Sequence, residues 1–276
     1  MSKSPLDGGV VVITGASSGI GREMARKLVH RARAIVLVAR RRERLDELKA
    51  DLLKERADLI VHIEQRDLGN VAGLPAMVES IVKAVGDIDV LVNNAGLGDM
   101  GVFDMADPVK TEGMITVNVT TLTLLTRAVL PGMIARKRGG ILNISSSFGL
   151  EFLPGFASYI GTKHYVTGFT EGLRADCAGT GVVISQVCPG PVATEFEEVA
   201  GNFTGMKVPS LIEISAEHCA RAAINGFTKG RALIIPGFVM RLVMYSTGMT
   251  PRFIRRWFAA LLGARVRKMQ LAAPPR

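Results

Sequence analysis

Cysteine and histidine are scarce in this sequence. Its 276 residues include three cysteines, an odd number without a CxxC pair, and four histidines that lie far apart along the chain. Neither set has the spacing of a disulfide framework or of metal ligands. We therefore expect reduced thiols and no metal site.

Long hydrophobic runs are lacking as well. No uninterrupted apolar stretch reaches the length of about 18 residues that a membrane-spanning helix requires. The longest candidate, 233–245, is broken by Pro236, Gly237 and Arg241. Residues 1–9 are too short and too polar to form a signal peptide, so we expect a cytoplasmic protein.

Acidic residues are absent from one segment. The formal charge is +9, from 34 Lys and Arg against 25 Asp and Glu, and residues 231–276 contain nine basic side chains and no acidic one. Because this excess is confined to the tail and no base-stacking or groove-reading motif accompanies it, we expect no nucleic-acid partner. The hydrophobic content of 48% is ample for a buried core, which excludes a disordered chain.

Short runs of Val, Ile and Leu alternate with helix-length segments, the first of them at 22–33. Continuous apolar runs are typical of parallel strands that are covered on both faces. The pattern predicts an α/β fold with a doubly wound parallel sheet, the Rossmann fold, in a single domain over 1–236 followed by a tail over 237–276. The predicted strands are Val10–Thr14, Ala34–Ala39, Ile60–Gln65, Val90–Asn93, 140–145, Val182–Val187 and 232–235.

A glycine-rich turn, Thr-Gly-Ala-Ser-Ser-Gly-Ile-Gly over 14–21, follows the first strand and leads into the first helix. Glycines allow a close approach to a pyrophosphate, whose charge the free N–H groups at a helix N-terminus stabilise. The turn therefore indicates a dinucleotide site, although an ordinary strand-to-helix turn would have a similar pattern.

The end of the second strand indicates which dinucleotide binds. An enzyme that prefers NAD would have an acidic residue here for the ribose hydroxyls, whereas this chain has Ala39 followed by Arg40, Arg41 and Arg42. A guanidinium binds a 2′-phosphate through charge-assisted hydrogen bonds, so NADP(H) is favoured. The alternative is a solvated basic turn.

Four polar residues form a candidate catalytic group. Tyr159 and Lys163 are four residues apart in a predicted helix and so share one face. Ser146 follows the strand at 140–145, and Asn118 lies on an earlier predicted helix. Each taken alone could be structural: a core aromatic, a strand-end cap or a helix residue bonded to backbone.

These motifs together resemble the short-chain dehydrogenase/reductase family in its single-domain form. The resemblance covers roughly residues 8–235. The matching motifs are the turn at 14–21, Asp67-Leu68, Asn93-Asn94-Ala95-Gly96, Asn118, Ser146, Tyr159-x-x-x-Lys163 and Pro189-Gly190-Pro191-Val192-Ala193-Thr194.

The resemblance implies a role for each catalytic residue. Tyr159 is the acid–base group, and Lys163 stabilises its phenolate and binds the nicotinamide ribose. Ser146 donates a hydrogen bond to the substrate carbonyl, and Asn118 holds a water of the proton relay. A tyrosine with a pKa near 10 needs such a neighbouring cation at neutral pH.

The resemblance also implies the cofactor contacts. Asp67 and Leu68 border the adenine, and the segment 189–194 borders the carboxamide, while Asn93 is structural and ties neighbouring strands together. The cofactor-binding residues are Gly15, Ser17, Ser18, Gly19, Ile20, Gly21, Arg40, Asp67, Leu68, Asn94, Ala95, Gly96, Tyr159, Lys163, Pro189, Gly190, Val192 and Thr194. Ser18 stands where some NADP-preferring relatives have a basic residue, so the preference depends mainly on Arg40.

Two segments bear on the substrate and the partners. The segment 195–215, a substrate lid by resemblance, contains Phe196, Phe203, Met206, Val208 and Leu211, which favour a hydrophobic substrate unless they pack on the protein body. The tail has an apolar helical stripe flanked by arginines. Base rates favour packing of this helix on its own domain or a second subunit, whereas its basic residues and the sole tryptophan favour membrane contact through 252–268. The stripe consists of Phe253, Ile254, Trp257, Phe258, Leu261 and Leu262.

The sequence therefore predicts an NADPH-dependent carbonyl reductase that acts on a hydrophobic ketone or aldehyde, such as a 3-oxoacyl thioester, a long-chain ketone or a steroid-like ketone. The resemblance further implies a homo-oligomer, a dimer or a tetramer. The alternatives are an NAD-linked alcohol dehydrogenase and a cofactor-binding sensor without catalysis.

Overall fold

The computed structural model describes residues 4–196, 200–201, 209 and 211–272. Seven parallel strands form the central sheet in the order β3-β2-β1-β4-β5-β6-β9. These strands are β1 (Val10–Thr14), β2 (Ala34–Ala39), β3 (Ile60–Gln65), β4 (Val90–Asn93), β5 (Gly139–Ile144), β6 (Val182–Val187) and β9 (Leu233–Ile234). The strand order reverses between β1 and β4, which is the position where ligands bind in doubly wound sheets.

Helices cover both faces of the sheet, because the strands are apolar on both sides. On one face the core contains residues of α1 (Gly19–Leu28), α2 (Arg42–Glu55) and α7 (Ala216–Thr228). On the other face it contains residues of α3 (Leu74–Val85), α5 (Leu122–Ala135) and α6 (Ala157–Asp176). The predicted doubly wound fold is confirmed.

The remaining elements surround the carboxyl edge of the sheet. The short strands β7 (Val192–Ala193) and β8 (Ile214–Ser215) pair with each other. Two further helices, α8 (Phe238–Met249) and α9 (Arg252–Ala272), follow β9. The tail helix that the stripe predicts is therefore present, and α8 precedes it.

One predicted helix was wrong in its bounds. The pattern places the first helix at 22–33, whereas α1 is Gly19–Leu28. The glycine-rich turn itself contributes the first helical turn, and the chain leaves the helix after the buried Leu28 so that it can enter β2 at Ala34. The strands predicted at 140–145 and 232–235 differ from β5 and β9 by one residue at each end.

A continuous helix runs from α4 (Pro108–Ile115) through a π-helical segment (Thr116–Thr121) into α5. By length and composition alone this helix, Pro108–Ala135, could cross a membrane, although the sequence has no uninterrupted apolar run there. Its buried residues Leu125, Val129 and Met133 belong to the core beside α3 and β5. Packing on the sheet therefore accounts for the apolar residues on the inward side of this helix.

Three cysteines, Cys177, Cys188 and Cys219, are free thiols and all are buried. The predicted lid lies partly outside the described residues: its members Phe203, Met206 and Val208 are among those that the structure does not describe. The boundary between domain and tail at residue 236 stays a prediction.

Candidate active site

A cavity of about 1320 Å³ lies at the carboxyl edge of the sheet, next to the strand-order reversal. All but two of the predicted site residues line it. Those that do are Gly15, Ser17, Ser18, Gly19, Ile20, Arg40, Asp67, Leu68, Asn94, Ala95, Gly96, Ser146, Tyr159, Lys163, Pro189, Gly190, Val192 and Thr194. The exceptions, Gly21 and Asn118, are buried behind the cavity wall.

The glycine-rich turn has the backbone that its sequence predicts. Gly15 has a φ of +66°, and a Cβ atom there would lie 2.9 Å from Ala95 Cα. A Cβ atom on Gly21 would lie 2.5 Å from Asn94 Nδ2. Gly21 does not face the cavity; its lack of a side chain allows α1 to pack closely on the turn. A larger residue at either position would displace the turn.

Asn94 holds the turn in place. Its Nδ2 donates to Thr14 O at 2.9 Å and to Gly15 O at 3.2 Å, while its backbone N–H donates to Thr14 Oγ1 at 2.9 Å. Asn94 therefore supports the backbone of the glycine-rich turn in addition to lining the cavity. Asn93 donates from Nδ2 to Asn143 Oδ1 at 2.9 Å, which confirms its predicted structural role between β4 and β5.

The arginines after β2 differ in their contacts. Among the residues that the structure describes, none bonds to the guanidinium of Arg40, which is exposed and lines the cavity. Arg41 Nη2 donates to Ser18 Oγ at 2.9 Å and to Ser17 Oγ at 3.1 Å, and its Nη1 pairs with Glu195 at 2.8 Å. Arg44 pairs with the same carboxylate. Arg41 is therefore a candidate phosphate ligand beside Arg40 that the sequence reasoning did not select.

Tyr159, Lys163 and Ser146 form one buried group. Tyr159 and Lys163 lie on α6, and Ser146 follows β5. Lys163 Nζ donates to Ile144 O at 2.9 Å and lies 5.7 Å from the centroid of the Tyr159 ring. The helix and the strand end thus bring a phenol, an ammonium and a hydroxyl to one wall of the cavity.

Burial changes the acidity of this group. Removal from water raises the pKa of Tyr159 above its usual value, and the neighbouring Ser146 hydroxyl opposes that rise. Burial also lowers the pKa of Lys163 to about 8, because the charged ammonium loses its hydration. Perturbed titratable groups in a cleft are typical of active sites.

Asn118 lies in the π-helical segment Thr116–Thr121. Its side chain bonds twice to the backbone of Leu97, donating to O and accepting from N, each at 2.8 Å, and also donates to Thr162 Oγ1 at 3.0 Å. A Cβ atom on Gly96 would lie 3.4 Å from Asn118 Oδ1 and 3.6 Å from Lys163 Nζ. Asn118 is therefore next to the catalytic group, but its amide is occupied in fixing the loop after β4.

Two aromatic rings contact that of Tyr159. Its ring centroid lies 5.4 Å from that of Phe196 and 6.2 Å from that of Phe148, whose ring is 4.9 Å from Phe156. The helices α8 and α9 contribute further apolar lining from the tail, which the sequence reasoning did not assign to the site. This lining consists of Met240, Val243, Met244, Ile254, Trp257, Phe258 and Ala259.

One ion pair lies in this apolar region. Arg255 Nη1 of α9 donates to Glu151 Oε2 at 2.8 Å, and both residues line the cavity. The guanidinium carbon lies 5.7 Å from the Phe152 ring centroid, and Arg255 Nε is buried without a partner among the described residues. The pair fastens α9 over the apolar part of the cavity.

The site fits a dinucleotide. The first turn of α1 contains no acidic residue, and no side chain caps it, so its N–H groups are available to a pyrophosphate. After β3, where the adenine is predicted to bind, Arg66 Nε is buried beside Asp67 without a partner among the described residues. The glycine-rich turn, Arg40 and Arg41 would hold the phosphates, and Lys163 would reach the nicotinamide ribose.

Comparison with known proteins agrees with this geometry. A family model described as short chain dehydrogenase matches residues 9–203. The NADP-dependent 3-hydroxy acid dehydrogenase of Schizosaccharomyces pombe is 39% identical over 240 residues, which cover 84% of this chain and 92% of that protein.

Solved structures are similar over most of the chain. A short-chain dehydrogenase from Sphingobium yanoikuyae in complex with NADPH has a TM-score of 0.75 and 34% identity, with 95% of each chain covered. A serine dehydrogenase complexed with NADP⁺ has a TM-score of 0.70 and 32% identity, with 81% of this chain and 93% of that chain covered.

These similarities set aside both alternatives that the sequence left open, the NAD-linked enzyme and the sensor without catalysis. The cofactor is NADP(H), as Arg40 and the absence of an acidic residue after β2 predict. The chain belongs to the short-chain dehydrogenase/reductase family and is an NADP(H)-dependent oxidoreductase that interconverts CH–OH and C=O groups.

Proposed function

We propose that the protein reduces the carbonyl group of a hydrophobic ketone or aldehyde, with Tyr159 as the proton donor. The observation that carries this proposal is the buried group of Tyr159, Ser146 and Lys163 beside an apolar cavity. The apolar side chains of α8 and α9 extend that cavity beyond the catalytic group and match a long-chain, 3-oxoacyl or steroid-like substrate.

Each catalytic side chain has a defined task in this reaction. The glycine-rich turn, Arg40 and Lys163 would hold NADPH, which would supply the hydride for the carbonyl carbon. The Tyr159 hydroxyl donates its proton to the oxygen that develops negative charge, and Ser146 Oγ–H donates a hydrogen bond to the same oxygen. The Lys163 ammonium stabilises the phenolate that remains. The Asn118 amide, which bonds to the Leu97 backbone and to Thr162, fixes the loop next to this group.

The relatives suggest a second candidate substrate. The yeast relative is named a 3-hydroxy acid dehydrogenase, and Arg255 could bind the carboxylate of such an acid. Glu151 already pairs with Arg255, however, which neutralises the cation. Hydrophobic ketones are therefore the first candidates and 3-oxo acids the second.

The test of the mechanism is Tyr159→Phe. Loss of the acid lowers kcat by about 100-fold or more, the usual contribution of general acid–base catalysis, and leaves NADPH affinity unchanged. Steady-state reduction of a hydrophobic ketone and a fluorescence titration of NADPH measure the two quantities. Tyr165→Phe is the matched control, because Tyr165 lies on the same helix with its hydroxyl bonded to Thr123 at the surface. Unchanged turnover of Tyr159→Phe would exclude the mechanism.

We further propose a homo-oligomer, as in related enzymes. Several large apolar side chains of the helix Pro108–Ala135 face outward, and α6 adds one next to them. They are Val109, Ile115, Leu124, Ile134 and Tyr165.

A further inference from the structure

The two tail helices expose many large apolar side chains. In α8 the side chains of Phe238 and Met249 are 78% and 86% exposed, and in α9 those of Phe253 and Trp257 are 69% and 65% exposed. We call this surface the tail face. Its members are Phe238, Leu242, Val243, Tyr245, Met249, Phe253, Ile254, Trp257, Phe258 and Leu261.

Contacts with the protein body determine which side of α9 faces outward. Arg255 pairs with Glu151, Arg267 pairs with Asp104 at 2.7 Å, and Gln270 accepts from the Val102 N–H at 2.7 Å. No side chain of α9 within Arg252–Ala272 is fully buried, although the helix is fastened at these points. Phe253 and Trp257 of the apolar stripe are therefore largely exposed, although Ile254, Trp257 and Phe258 also line the cavity.

Positive charge accompanies the apolar residues. Arg252, Arg256, Arg265 and Lys268 are exposed, and none has an ion-pair partner among the residues that the structure describes. Residues 231–276 contain no acidic side chain. An occupant of this surface must therefore offer apolar material and negative charge together.

A second copy of the chain that presents its own tail face does not meet this requirement. In a two-fold dimer the same patch lies on both subunits, so two tail faces would bring cationic segments together without a carboxylate from either segment. A bilayer that contains anionic lipids meets it, because acyl chains accept Phe and Trp while headgroups attract Arg and Lys.

We propose that the tail face docks the protein on the surface of an anionic lipid bilayer. Val243, Ile254, Trp257 and Phe258 both belong to the tail face and line the active-site cavity. Docking therefore places the mouth of the cavity at the level of the lipid. An apolar substrate dissolved in the bilayer enters the cavity without crossing water.

The experiment uses the full chain and its sole tryptophan. Trp257 lies on the tail face, so its fluorescence reports docking directly. With vesicles of phosphatidylglycerol and phosphatidylcholine we expect a blue shift of Trp257 emission and co-sedimentation of the protein. Vesicles of phosphatidylcholine alone give much weaker binding, and added salt weakens binding to the vesicles that contain phosphatidylglycerol.

Two variants separate the apolar and the charged contributions. Met249→Ser with Phe253→Ser removes apolar anchors that do not line the cavity. Arg252→Gln with Arg256→Gln weakens partition into anionic vesicles by about fivefold per arginine, from the usual attraction of a basic side chain to an anionic surface. Val82→Ser on α3, also an exposed apolar position, is the control and binds as the original chain does.

Three results would overturn docking. One is the absence of both the blue shift and co-sedimentation with anionic vesicles. Another is equal binding to both kinds of vesicle. The third is a protein that does not bind vesicles but forms a dimer in light scattering, where the double variant Met249→Ser with Phe253→Ser is a monomer. Vesicle binding requires no turnover, so it is measured separately from the proposed carbonyl reduction.

Discussion

Lys163 is a cation that the fold keeps in a place where charge is costly. It is buried at 5% exposure, and burial lowers its pKa from 10.5 to about 8. The same ammonium is what a buried Tyr159 needs to release its proton, since burial alone raises the pKa of the phenol. Burial of Lys163 therefore lowers the stability of the fold and, in the proposed mechanism, places the ammonium where it stabilises the Tyr159 phenolate.

This shift predicts how stability changes with pH. Between about 8 and 10.5 the unfolded chain keeps a proton on Lys163 that the folded protein has lost, so the original chain gains stability relative to Lys163→Met as the pH rises. The gain is at most about 1.4 kcal/mol per pH unit. Urea unfolding of both proteins at pH 7 and at pH 10 measures it. Lys110→Met, at an exposed site, is the control. If the difference in unfolding free energy between Lys163→Met and the original chain does not vary with pH, the lowered pKa of Lys163 is contradicted.

A second prediction at the residue scale concerns phosphate recognition. Arg40→Ala and Arg41→Ala each weaken NADPH binding by about tenfold or more, because a hydrogen bond to a charged group contributes about 1.5–3 kcal/mol. NADH binding, which involves no 2′-phosphate, changes little. Parallel titrations of the two cofactors measure the ratio. The control is Arg42→Ala, because the guanidinium of Arg42 pairs with Asp46 at the surface. Equal losses of affinity for both cofactors would mean that Arg40 and Arg41 only shape the turn.

At the scale of elements, α9 contributes a cation, Arg255, to the apolar part of the cavity. Arg255→Met keeps the volume of the side chain but removes its charge. If hydrophobic ketones are the substrates, kcat/KM for a neutral long-chain ketone changes less than threefold, and that for a 3-oxo acid is low in both proteins. A loss confined to the 3-oxo acid would identify Arg255 as a carboxylate ligand and favour the second candidate.

The matched control for that variant is Arg267→Met. Arg267 fastens the same helix to Asp104 but does not line the cavity. A substrate effect shared by Arg255→Met and Arg267→Met would come from displacement of α9, whereas an effect of Arg255→Met alone would come from the guanidinium itself.

At the scale of the whole molecule, we propose different partners for two exposed apolar regions, the tail face and the outward face of the helix Pro108–Ala135. Leu124→Asp places a charge in the outward face of the helix Pro108–Ala135 and should dissociate the proposed homo-oligomer, because an unpaired buried charge is costly at an interface. Light scattering of the purified protein measures the mass. The control, Val82→Asp on α3, should leave the mass of the oligomer unchanged. If Leu124→Asp also has the mass of the original protein, the outward face of the helix Pro108–Ala135 is not the interface.

The sequence by itself determined the sheet, the glycine-rich turn and the NADP(H) preference. These depend on local pattern: apolar runs such as that of β2, glycines at fixed spacing, and Arg40 where an NAD enzyme would have an acidic residue. Most of the candidate site could be predicted for the same reason, because parallel strands bring their carboxyl ends, and the residues after them, to one edge.

Only the tertiary structure decided the rest. Asn94 holds the turn and Asn118 holds the loop after β4, and no spacing rule shows where an amide finds its partners. Arg41 and Glu195 are 154 positions apart, as Arg255 and Glu151 are 104 apart, so these pairs arise only when the chain has folded. The tail shows the distinction most clearly. Its periodicity predicts an amphipathic helix, but the side of α9 that faces outward follows from the contacts that fasten it above the cavity.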